Sequence, residues 1–408
     1  MGRMQVTDLV GLAEIEDARR RLEGVAVQTP LDRSRALSEQ VGGPVFVKCE
    51  NLQRTGSFKI RGAYNLISRL DEGIRNKGVI AASAGNHAQG VALAATLLKA
   101  RSTVFMPASA SLPKVEATKR YGAEVVLTGK DFGEAFDAAR EHAEAEGGFF
   151  VHPYDHVHII AGQGTIGCEI VEQAGEIGTI VVPIGGGGLI SGIAASVRAL
   201  APSAHIVGVQ AAGAASFPAS LAAGHPVALE RMSTIADGIA ANSPGDLTLA
   251  HVQRLVDEVV TVNDDAIAEA LVYCVERMKL VLEPSGAAGI AAVINELSEL
   301  RPPVVIVLSG GNIDPLLLLR VIRFGLGSSG RYFAFHTRIP DHPGELHRLL
   351  GLIAKAGANI VGVEHRREGV AVHLGEVEVA LQVETRGREH ITDLVNQLAT
   401  AGYSLERL

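Results

Sequence analysis

Ser57-Phe58-Lys59-Ile60-Arg61-Gly62, preceded by Thr55-Gly56, is the stretch of this 408-residue sequence that is most informative about its fold. Apolar side chains at positions 60, 63, 64 and 67 have the spacing of one helical face. We therefore expect a helix that begins near Ser57 as its N-cap and holds Lys59 in its first turn. The positive end of the helix dipole disfavours an ammonium group there, and the neutral amine that it favours is suited to Schiff-base chemistry.

Short apolar runs lie on both sides of this segment and alternate with longer amphipathic or alanine-rich stretches. Runs of this kind indicate buried parallel strands, and their alternation with helices is typical of a doubly wound α/β fold. The predicted strands are 45–47, 78–81, 103–105, 125–127, 180–182 and 304–308.

The pattern changes after residues 325–330, Gly-Leu-Gly-Ser-Ser-Gly, which have the composition of a linker. We expect a first region over 1–324, with a smaller subdomain at about 50–150, and a separate domain over 331–408. The separate domain has the predicted order strand, helix, strand, strand, helix, strand, which is a ferredoxin-like βαββαβ unit. Its predicted elements are 332–339, 345–355, 360–364, 377–384, 390–398 and a last strand near Leu405.

Composition limits the class of protein. Hydrophobic residues make up 47% of the chain, enough for two or three packed domains, and a net charge of -8 without a basic stripe argues against a nucleic-acid partner. Cys49, Cys168 and Cys274 are too few and too far apart for a disulfide framework or zinc cluster, which favours a reducing compartment. The first thirty residues contain no apolar signal core or membrane span, so we expect a cytoplasmic protein without a membrane partner.

A run of four glycines, Gly185-Gly186-Gly187-Gly188, follows one predicted strand and precedes a predicted helix at Leu189. Consecutive backbone amides at the positive end of a helix can close around a phosphate. Taken alone, the junction is equally compatible with a tight turn or a dinucleotide fold. It lacks the spaced glycines of a dinucleotide fingerprint and the Gly-Lys-Ser/Thr of a nucleotide P-loop.

Two further loops carry polar groups. Ser83-Ala84-Gly85-Asn86-His87 offers backbone amides to a carboxylate, and Asn86 can donate to a phenolate oxygen. As an isolated segment it fits better as a helix-capping loop with a solvated His87. Ser309-Gly310-Gly311-Asn312 offers a hydroxyl to a ring nitrogen, although a lone Ser-Gly-Gly is more often a turn. The occurrence of all three loops with Lys59 favours one cofactor site.

Together these motifs resemble those of the fold-type II pyridoxal phosphate enzymes and, among them, the threonine ammonia-lyases (threonine dehydratases). The resemblance covers residues 28–324 and includes the segments 161–165 and 283–286. Residues 331–408 resemble an ACT domain, a module that usually binds amino acids for regulation. The resemblance implies a two-domain α/β catalytic core with parallel sheets, followed by a ferredoxin-like regulatory domain.

The resemblance also implies a role for each matching residue. Lys59 would form the Schiff base with pyridoxal phosphate and take the Cα proton of the substrate, Phe58 would lie against the ring, and Asn86 would contact the ring hydroxyl. Ser309 would face the pyridine nitrogen, where a neutral hydroxyl favours elimination over transamination. The implied phosphate ligands are Gly185, Gly186, Gly187, Gly188 and Leu189; the implied carboxylate site is Ser83, Ala84, Gly85, Asn86 and His87; and the implied effector residues are Asp341, Gly344 and Asn359.

The implied reaction converts L-threonine to 2-oxobutanoate and ammonia, and L-serine to pyruvate. The expected partners are an amino-acid substrate, an amino-acid effector at the ACT domain, and further copies of the chain in a homodimer or homotetramer. The sequence leaves open whether the role is biosynthetic, in the isoleucine route, or catabolic.

Several alternatives remain at this level. A serine racemase or serine dehydratase-type enzyme has the same fold, but the racemase has a serine where this chain has Ala84, and a methyl group transfers no proton. The racemase's divalent-metal carboxylates have no counterpart in residues 207–216, so no metal of that kind is expected, while a monovalent cation held by carbonyl oxygens remains possible. A non-catalytic amino-acid sensor and a dinucleotide-dependent redox enzyme are the other interpretations, and Lys59 and the missing fingerprint argue against them.

Overall fold

The structure is a computed structural model that describes residues 9–367 and 375–407. The chain divides into two compact units, Met1–Asp314 and Pro315–Leu408. No helix within the described residues is both long and apolar enough to span a bilayer.

The helices of the first unit are α1 Leu12–Arg21, α2 Arg35–Val41, α3 Lys59–Ile67, α4 Glu72–Lys77, α5 Asn86–Leu97, α6 Leu112–Arg120, α7 Phe132–Glu146, α8 Val157–Ala174, α9 Gly188–Leu200, α10 Ser216–Ala223, α11 Asp246–Leu255, α12 Asp264–Tyr273 and α13 Pro284–Asn295. Its strands are β1 Leu31–Arg33, β2 Val45–Lys48, β3 Val79–Ala82, β4 Ser102–Met106, β5 Glu124–Leu127, β6 Phe149–Phe150, β7 Thr179–Pro183, β8 His205–Ala211, β9 Glu258–Val262 and β10 Val304–Val307. Short 3-10 helices occur at Glu50–Leu52, Ala212–Ala214 and Asp237–Ile239, and a π-helix at Cys274–Met278.

The strands of the first unit form two sheets. The larger has the order β1-β2-β10-β7-β8-β9, in which every pair except β1 with β2 is parallel. The smaller has the order β5-β4-β3-β6 and is entirely parallel. The predicted α/β core with parallel sheets is confirmed.

Burial separates the central strands from the edges. Each residue of β7 and β10 is buried, as expected for parallel strands covered on both faces. The run at 125–127 forms β5, but the expected burial is wrong, because β5 is an edge strand and Leu127 is 50% exposed.

Helix α3 begins with Lys59, so the lysine lies in the first turn as predicted. The predicted capping by Ser57 is wrong, because Phe58 is the N-cap, no side chain caps the helix, and the buried Ser57 hydroxyl has no hydrogen-bond partner among the described residues. The backbone of Ser57 instead forms a β-bridge with Gly310. This pairing joins the segment before Lys59 to the loop after β10.

The second unit contains α14 Pro315–Ser328, β11 Tyr332–Pro340, α15 Glu345–Lys355, β12 Asn359–Arg366, β13 Glu376–Glu384, α16 Arg388–Thr400 and β14 Leu405–Arg407. Its sheet is antiparallel with the order β12-β13-β11-β14. Alternate side chains such as Phe335 and Leu381 pack against Leu349 of α15 and Leu394 of α16, so both helices cover one face. The predicted ferredoxin-like order is confirmed.

The segment 325–330 differs from the predicted linker. Helix α14 continues to Ser328, and the division between the compact units falls between Asp314 and Pro315. The glycines at 325 and 327 suggested an irregular segment, but the leucine-rich run before them carries the helix through both positions.

Candidate active site

One cavity in the first unit receives residues from the loops that follow β3, β7 and β10. The carboxyl ends of parallel strands are where α/β proteins bind ligands. The cavity brings together nine residues singled out by the sequence: Phe58, Lys59, Asn86, Gly185, Gly186, Gly187, Gly188, Leu189 and Ser309.

Lys59 reaches into the cavity from the first position of α3. Its Nζ donates to the carbonyl oxygen of Pro153 at 3.2 Å and lies 5.1 Å from the centre of the Phe58 ring. Burial lowers the pKa of Lys59 to about 8, while the carboxylate of Glu283 acts in the opposite direction. The depressed pKa that we expected is present, and its main cause in the structure is burial.

The four-glycine loop is packed so closely against its neighbours that its positions have no room for a side chain. A Cβ at Gly186 would lie 2.4 Å from the ring of Tyr154, and one at Gly185 would lie 3.0 Å from the Cα of Ile239. Gly187 has a φ of 96° and precedes α9 without a side-chain cap. The loop therefore presents backbone at the amino end of a thirteen-residue helix.

Asn86 occupies the first position of α5 and is held from two sides. Its Nδ2 donates to Glu283 Oε1 at 2.6 Å, and its Oδ1 accepts from Asn312 Nδ2 at 2.8 Å. Burial raises the pKa of Glu283 to about 7, and the nearby carboxylate of Asp237 acts in the same direction. A carboxyl group that is partly protonated near neutral pH therefore lies beside the cavity.

Ser309 follows β10 and is 3% exposed. Its hydroxyl lies 3.5 Å from the carbonyl oxygen of Ser285, at the limit of a hydrogen bond. The hydroxyl therefore retains hydrogen-bonding capacity for a group in the cavity.

The loop 83–87 meets the cavity only through Asn86. The other four residues, Ser83, Ala84, Gly85 and His87, all in the described part of the chain, lie outside the lining. The alternative with a solvated His87 is wrong, because His87 is 4% exposed and its Nε2 donates to the Val151 carbonyl at 3.0 Å. Burial lowers the pKa of His87 to about 3, so this imidazole stays neutral. Ala84 packs against an apolar cluster of the smaller sheet that includes Ala88 and Met106.

Sequence reasoning missed seven residues of the lining: Pro153, Tyr154, Gln163, Pro183, Gly238, Ile239 and Glu283. Tyr154 covers Gly186 and donates its hydroxyl to Ser243 O at 3.1 Å. Gln163 accepts from the amide of Gly62 at 3.2 Å, an approach that a side chain at position 62 would block. Gln163 and Glu283 lie in motifs quoted above, but those motifs did not reveal which side chains face the cavity.

A buried ionic network outside the cavity lining holds α3 in place. Arg61 is 1% exposed and pairs with Glu50 at 2.8 Å and with Glu169 of α8 at 2.6 Å. Lys48 of β2 also pairs with Glu169 at 2.6 Å. Two cations and two carboxylates thus compensate one another inside the protein, which is the condition under which buried charges are tolerated. The network, which we call the Arg61 network, joins α3 to β2 and α8.

The predicted effector residues lie in the second unit and do not converge within it. Asp341 follows β11 and pairs with Arg367 at 3.3 Å, and Gly344, with a φ of 96°, precedes α15. Asn359 begins β12 and donates to Glu384 at the far end of β13. Since Pro340 is paired with Glu376 at the other end of β13, about 25 Å of strand separates the two places.

The cavity fits the cofactor that the sequence implied. A helix amino terminus with glycine backbone suits a phosphate ester, and a buried amine with a lowered pKa suits a carbonyl carbon. A Cβ on any of residues 185–188 would meet a neighbour at 3.0 Å or less, so only backbone can form this cradle. The backbone amides of the glycine loop thus suit the phosphate of pyridoxal phosphate, and the Lys59 amine suits its aldehyde carbon.

Comparison with known proteins agrees with this geometry. Residues 22–310 match the family described as pyridoxal-phosphate dependent enzyme, and residues 337–400 match the ACT domain. The L-threonine ammonia-lyase of Thermotoga maritima is 45% identical over 397 residues, which are 97% of this chain and 99% of that protein.

Solved structures give the same fold. A processed threonine deaminase isoform 2 from Solanum lycopersicum is 37% identical, with a TM-score of 0.74 over 79% of this chain and 93% of that one. A serine racemase from maize is 38% identical, with a TM-score of 0.73 over 79% of this chain and 99% of that one. With Lys59, the glycine loop and Ser309 around one cavity, the chain belongs to the family of pyridoxal-phosphate dependent enzymes.

Proposed function

We propose that this protein is a threonine ammonia-lyase that converts L-threonine to 2-oxobutanoate and ammonia, and L-serine to pyruvate. The observation that carries the proposal is the meeting of Lys59, the four-glycine loop and Ser309 in one cavity. The near full-length similarity to the Thermotoga maritima enzyme, across both units, supports it.

Pyridoxal phosphate supplies an electron-accepting ring that stabilises negative charge at the Cα of an amino acid. In this proposal Lys59 anchors the cofactor and, once freed by the substrate amine, takes the Cα proton on its Nζ. With a pKa of about 8, roughly a tenth of the amine is neutral at pH 7, far more than for an ordinary lysine. The Pro153 carbonyl oxygen accepts a hydrogen bond from this amine and holds it in place.

The other lining residues orient the reacting groups. Residues 185–189 would bind the phosphate through backbone amides at the amino end of α9, and Phe58 would lie against the ring. Ser309 would offer the ring nitrogen a neutral hydroxyl, which stabilises a positive pyridinium less than a carboxylate would. Loss of the β-hydroxyl is then favoured over reactions that need charge spread across the ring.

The substrate carboxylate is assigned to the backbone amides of residues 83–87. These residues lead into α5, whose amino end attracts an anion. Among these residues Asn86 is the one in the cavity lining, so in this proposal the carboxylate lies at the edge of the cavity, where the amides of the other positions would meet it.

Serine racemase is the second candidate, and the similarity to the maize enzyme is the observation that favours it. Racemisation needs a proton donor on the face of the substrate opposite Lys59. Ala84 has no such group, and its methyl packs against the apolar cluster of the smaller sheet. The lyase is therefore the better proposal.

We extend the proposal to regulation, assembly and location. An amino-acid effector, isoleucine or valine if the enzyme is biosynthetic, binds at the ACT domain, and the chain acts as a homodimer or homotetramer in the cytoplasm. Asp341 and Gly344 lie at one end of this domain and Asn359 at the other, so an effector site using all three draws on more than one copy.

The test is steady-state turnover of the purified, cofactor-loaded protein with L-threonine and L-serine, with and without isoleucine, valine and AMP. We expect 2-oxobutanoate and ammonia from threonine. An absorption band that borohydride removes distinguishes the lyase from a non-catalytic sensor. Failure to release ammonia from either substrate, or rapid interconversion of serine enantiomers, contradicts the proposal.

A further inference from the structure

A chain of amide groups runs from the protein backbone to the edge of the cavity. Asn312 Nδ2 donates to the Thr55 carbonyl oxygen at 2.7 Å and to Asn86 Oδ1 at 2.8 Å. Asn86 Nδ2 then donates to Glu283 Oε1 at 2.6 Å. Asn86 and Glu283 line the cavity, whereas Asn312 lies outside its lining.

The Thr55 carbonyl determines which atom donates and which accepts in each hydrogen bond of this series. A carbonyl oxygen only accepts, so the atom of Asn312 that faces it is the amide nitrogen. The second hydrogen of that nitrogen points at Asn86, and the atom it meets is therefore an oxygen. The nitrogen end of Asn86 is thereby turned towards Glu283 and the cavity.

The carboxyl group of Glu283 does not determine this direction by itself. Burial raises the pKa of Glu283 to about 7, so near neutral pH it is a mixture of an acceptor and a protonated donor. A protonated Glu283 satisfies Asn86 in either orientation. The orientation of the Asn86 amide is therefore set by Asn312 and the Thr55 carbonyl.

Packing holds Asn312 against its acceptor. Gly56 has a φ of 69°, and a Cβ there would lie 2.4 Å from Asn312 Oδ1. The amide of Gly311 donates to Gly56 O at 2.8 Å, and Ser57 forms a β-bridge with Gly310. Segments 55–57 and 310–312 are thus paired by backbone bonds, and the Asn312 amide cannot turn over without setting two oxygens against each other.

We propose that Asn312 is a positioning residue that fixes which end of the Asn86 amide faces the cavity, with the Thr55 carbonyl as its reference. The inference rests on the proposed function in one respect, namely that Asn86 contacts the ring hydroxyl of the cofactor. A nitrogen in that place donates to the ring oxygen and stabilises its ionised form. An oxygen in the same place repels it.

The decisive variant is Asn312→Asp, which has nearly the same shape but no donor. The carboxylate that it introduces only accepts, so Asn86 turns its nitrogen towards position 312 and its oxygen towards Glu283 and the cavity. We expect the pH midpoint of the bound cofactor's absorbance change to rise by about one unit. Asn312→Ala, which removes both bonds without adding charge, shifts the midpoint less in the same direction.

Asn51→Asp is the matched control for added charge. Asn51 lies against Gly311, and its amide contacts Val281 O at 3.5 Å; within the described residues, none of its hydrogen bonds involves Asn86. An equal shift of the midpoint in Asn51→Asp and Asn312→Asp, or no shift in Asn312→Asp, overturns the proposal.

A second readout uses the cofactor-free protein. Glu283→Gln alone keeps the Asn86 orientation, because the new amide oxygen still accepts. At a pH of about 8.5, where Glu283 is mostly ionised, the turned Asn86 oxygen of Asn312→Asp faces a carboxylate, so the thermal midpoint measured at that pH falls. Adding Glu283→Gln supplies a donor to that oxygen and restores part of the lost midpoint, while the cofactor spectrum stays shifted.

Additive losses of thermal midpoint in the two single variants and their combination contradict the proposal. Neither readout requires turnover. A wild-type protein that binds the cofactor but releases no ammonia from threonine therefore counts against the proposed function and leaves this inference to be judged on its own results.

Discussion

Lys59 is the residue on which the chemistry depends most directly. In Lys59→Ala we expect ammonia release from threonine to fall by about 10³-fold or more, because the covalent anchor and the Cα base are lost together. The control is Lys119→Ala, which removes an exposed lysine on α6. Near-normal ammonia release by folded, cofactor-supplemented Lys59→Ala rules out the assignment.

The lowered pKa of Lys59 has its own consequence for pH dependence. The neutral amine is the form that attacks a carbonyl, and it becomes the major form above a pH of about 8. The rate at which the cofactor-free protein takes up pyridoxal phosphate covalently should rise with pH up to about 8 and then level off. Stopped-flow absorbance measures this rate, and a rise that continues to a pH of about 10, where an ordinary lysine titrates, shows that burial does not lower this pKa.

Ala84 distinguishes a lyase from a serine racemase, because it lacks the hydroxyl group that a racemase needs at this position. Ala84→Ser is expected to add slow racemisation of serine, because a hydroxyl on the loop before α5 can supply a proton opposite Lys59. The apolar contacts of Ala84 limit the gain, since the hydroxyl must turn away from them to reach the substrate. Chiral chromatography of recovered serine measures the effect. Efficient racemisation by the wild type means that Ala84 does not separate lyase from racemase.

At the scale of elements, the loop between β7 and α9 is the most constrained part of the site. Gly186→Ala places a Cβ 2.4 Å from the Tyr154 ring, so the loop must shift and we expect the Kd for pyridoxal phosphate to rise at least about tenfold. Spectroscopic titration of the cofactor-free protein measures it. Gly73→Ala, on α4 with open space around its Cβ position, is the control and should bind normally. Unchanged affinity in Gly186→Ala means that the loop does not hold the phosphate.

The elements that the sequence predicted well are those with a strong local pattern. Apolar runs between glycine turns gave the central strands, and the period of α15 matched its observed bounds, Glu345–Lys355. The predictions that failed depended on neighbours distant in the sequence. Ser57 does not cap α3, because the N-cap position is taken by Phe58, while the backbone of Ser57 pairs with Gly310. Strand β5 is half-exposed, because it lies at a sheet edge.

The site followed the same rule. Lys59, the glycine loop and Ser309 stand beside recognisable turns, whereas Glu283 and Gln163 reach the cavity only through tertiary packing. The resemblance to an ACT domain groups Asn359 with Asp341, but the strand register separates them. Local sequence identifies a turn without specifying which end of a sheet it occupies.

At the scale of the whole molecule, the two compact units predict a separation of catalysis from regulation. Truncation after Phe324 would cut inside α14, so the better cut follows Asp314, where the first unit ends. The shortened protein should keep threonine turnover, because Lys59, the glycine loop and Ser309 all precede the cut. It should lose any response to branched-chain amino acids, which requires a ligand that favours one of two states.

Turnover with and without isoleucine and valine, in the full-length and shortened proteins, measures this effect. The same response in both proteins places the effector site in the first unit. A full-length protein without any response indicates that the ACT domain serves in dimerisation.

The Arg61 network determines how the reactive end of α3 responds to dissolved ions. Mobile ions weaken an exposed pair such as Arg35 with Glu39, whose side chains are 93% and 65% exposed, because they gather around both charges. Arg61 and Glu50 are 1% and 0% exposed, so mobile ions screen this pair much less. We therefore expect the position of the Lys59 amine to change little between dilute buffer and molar salt.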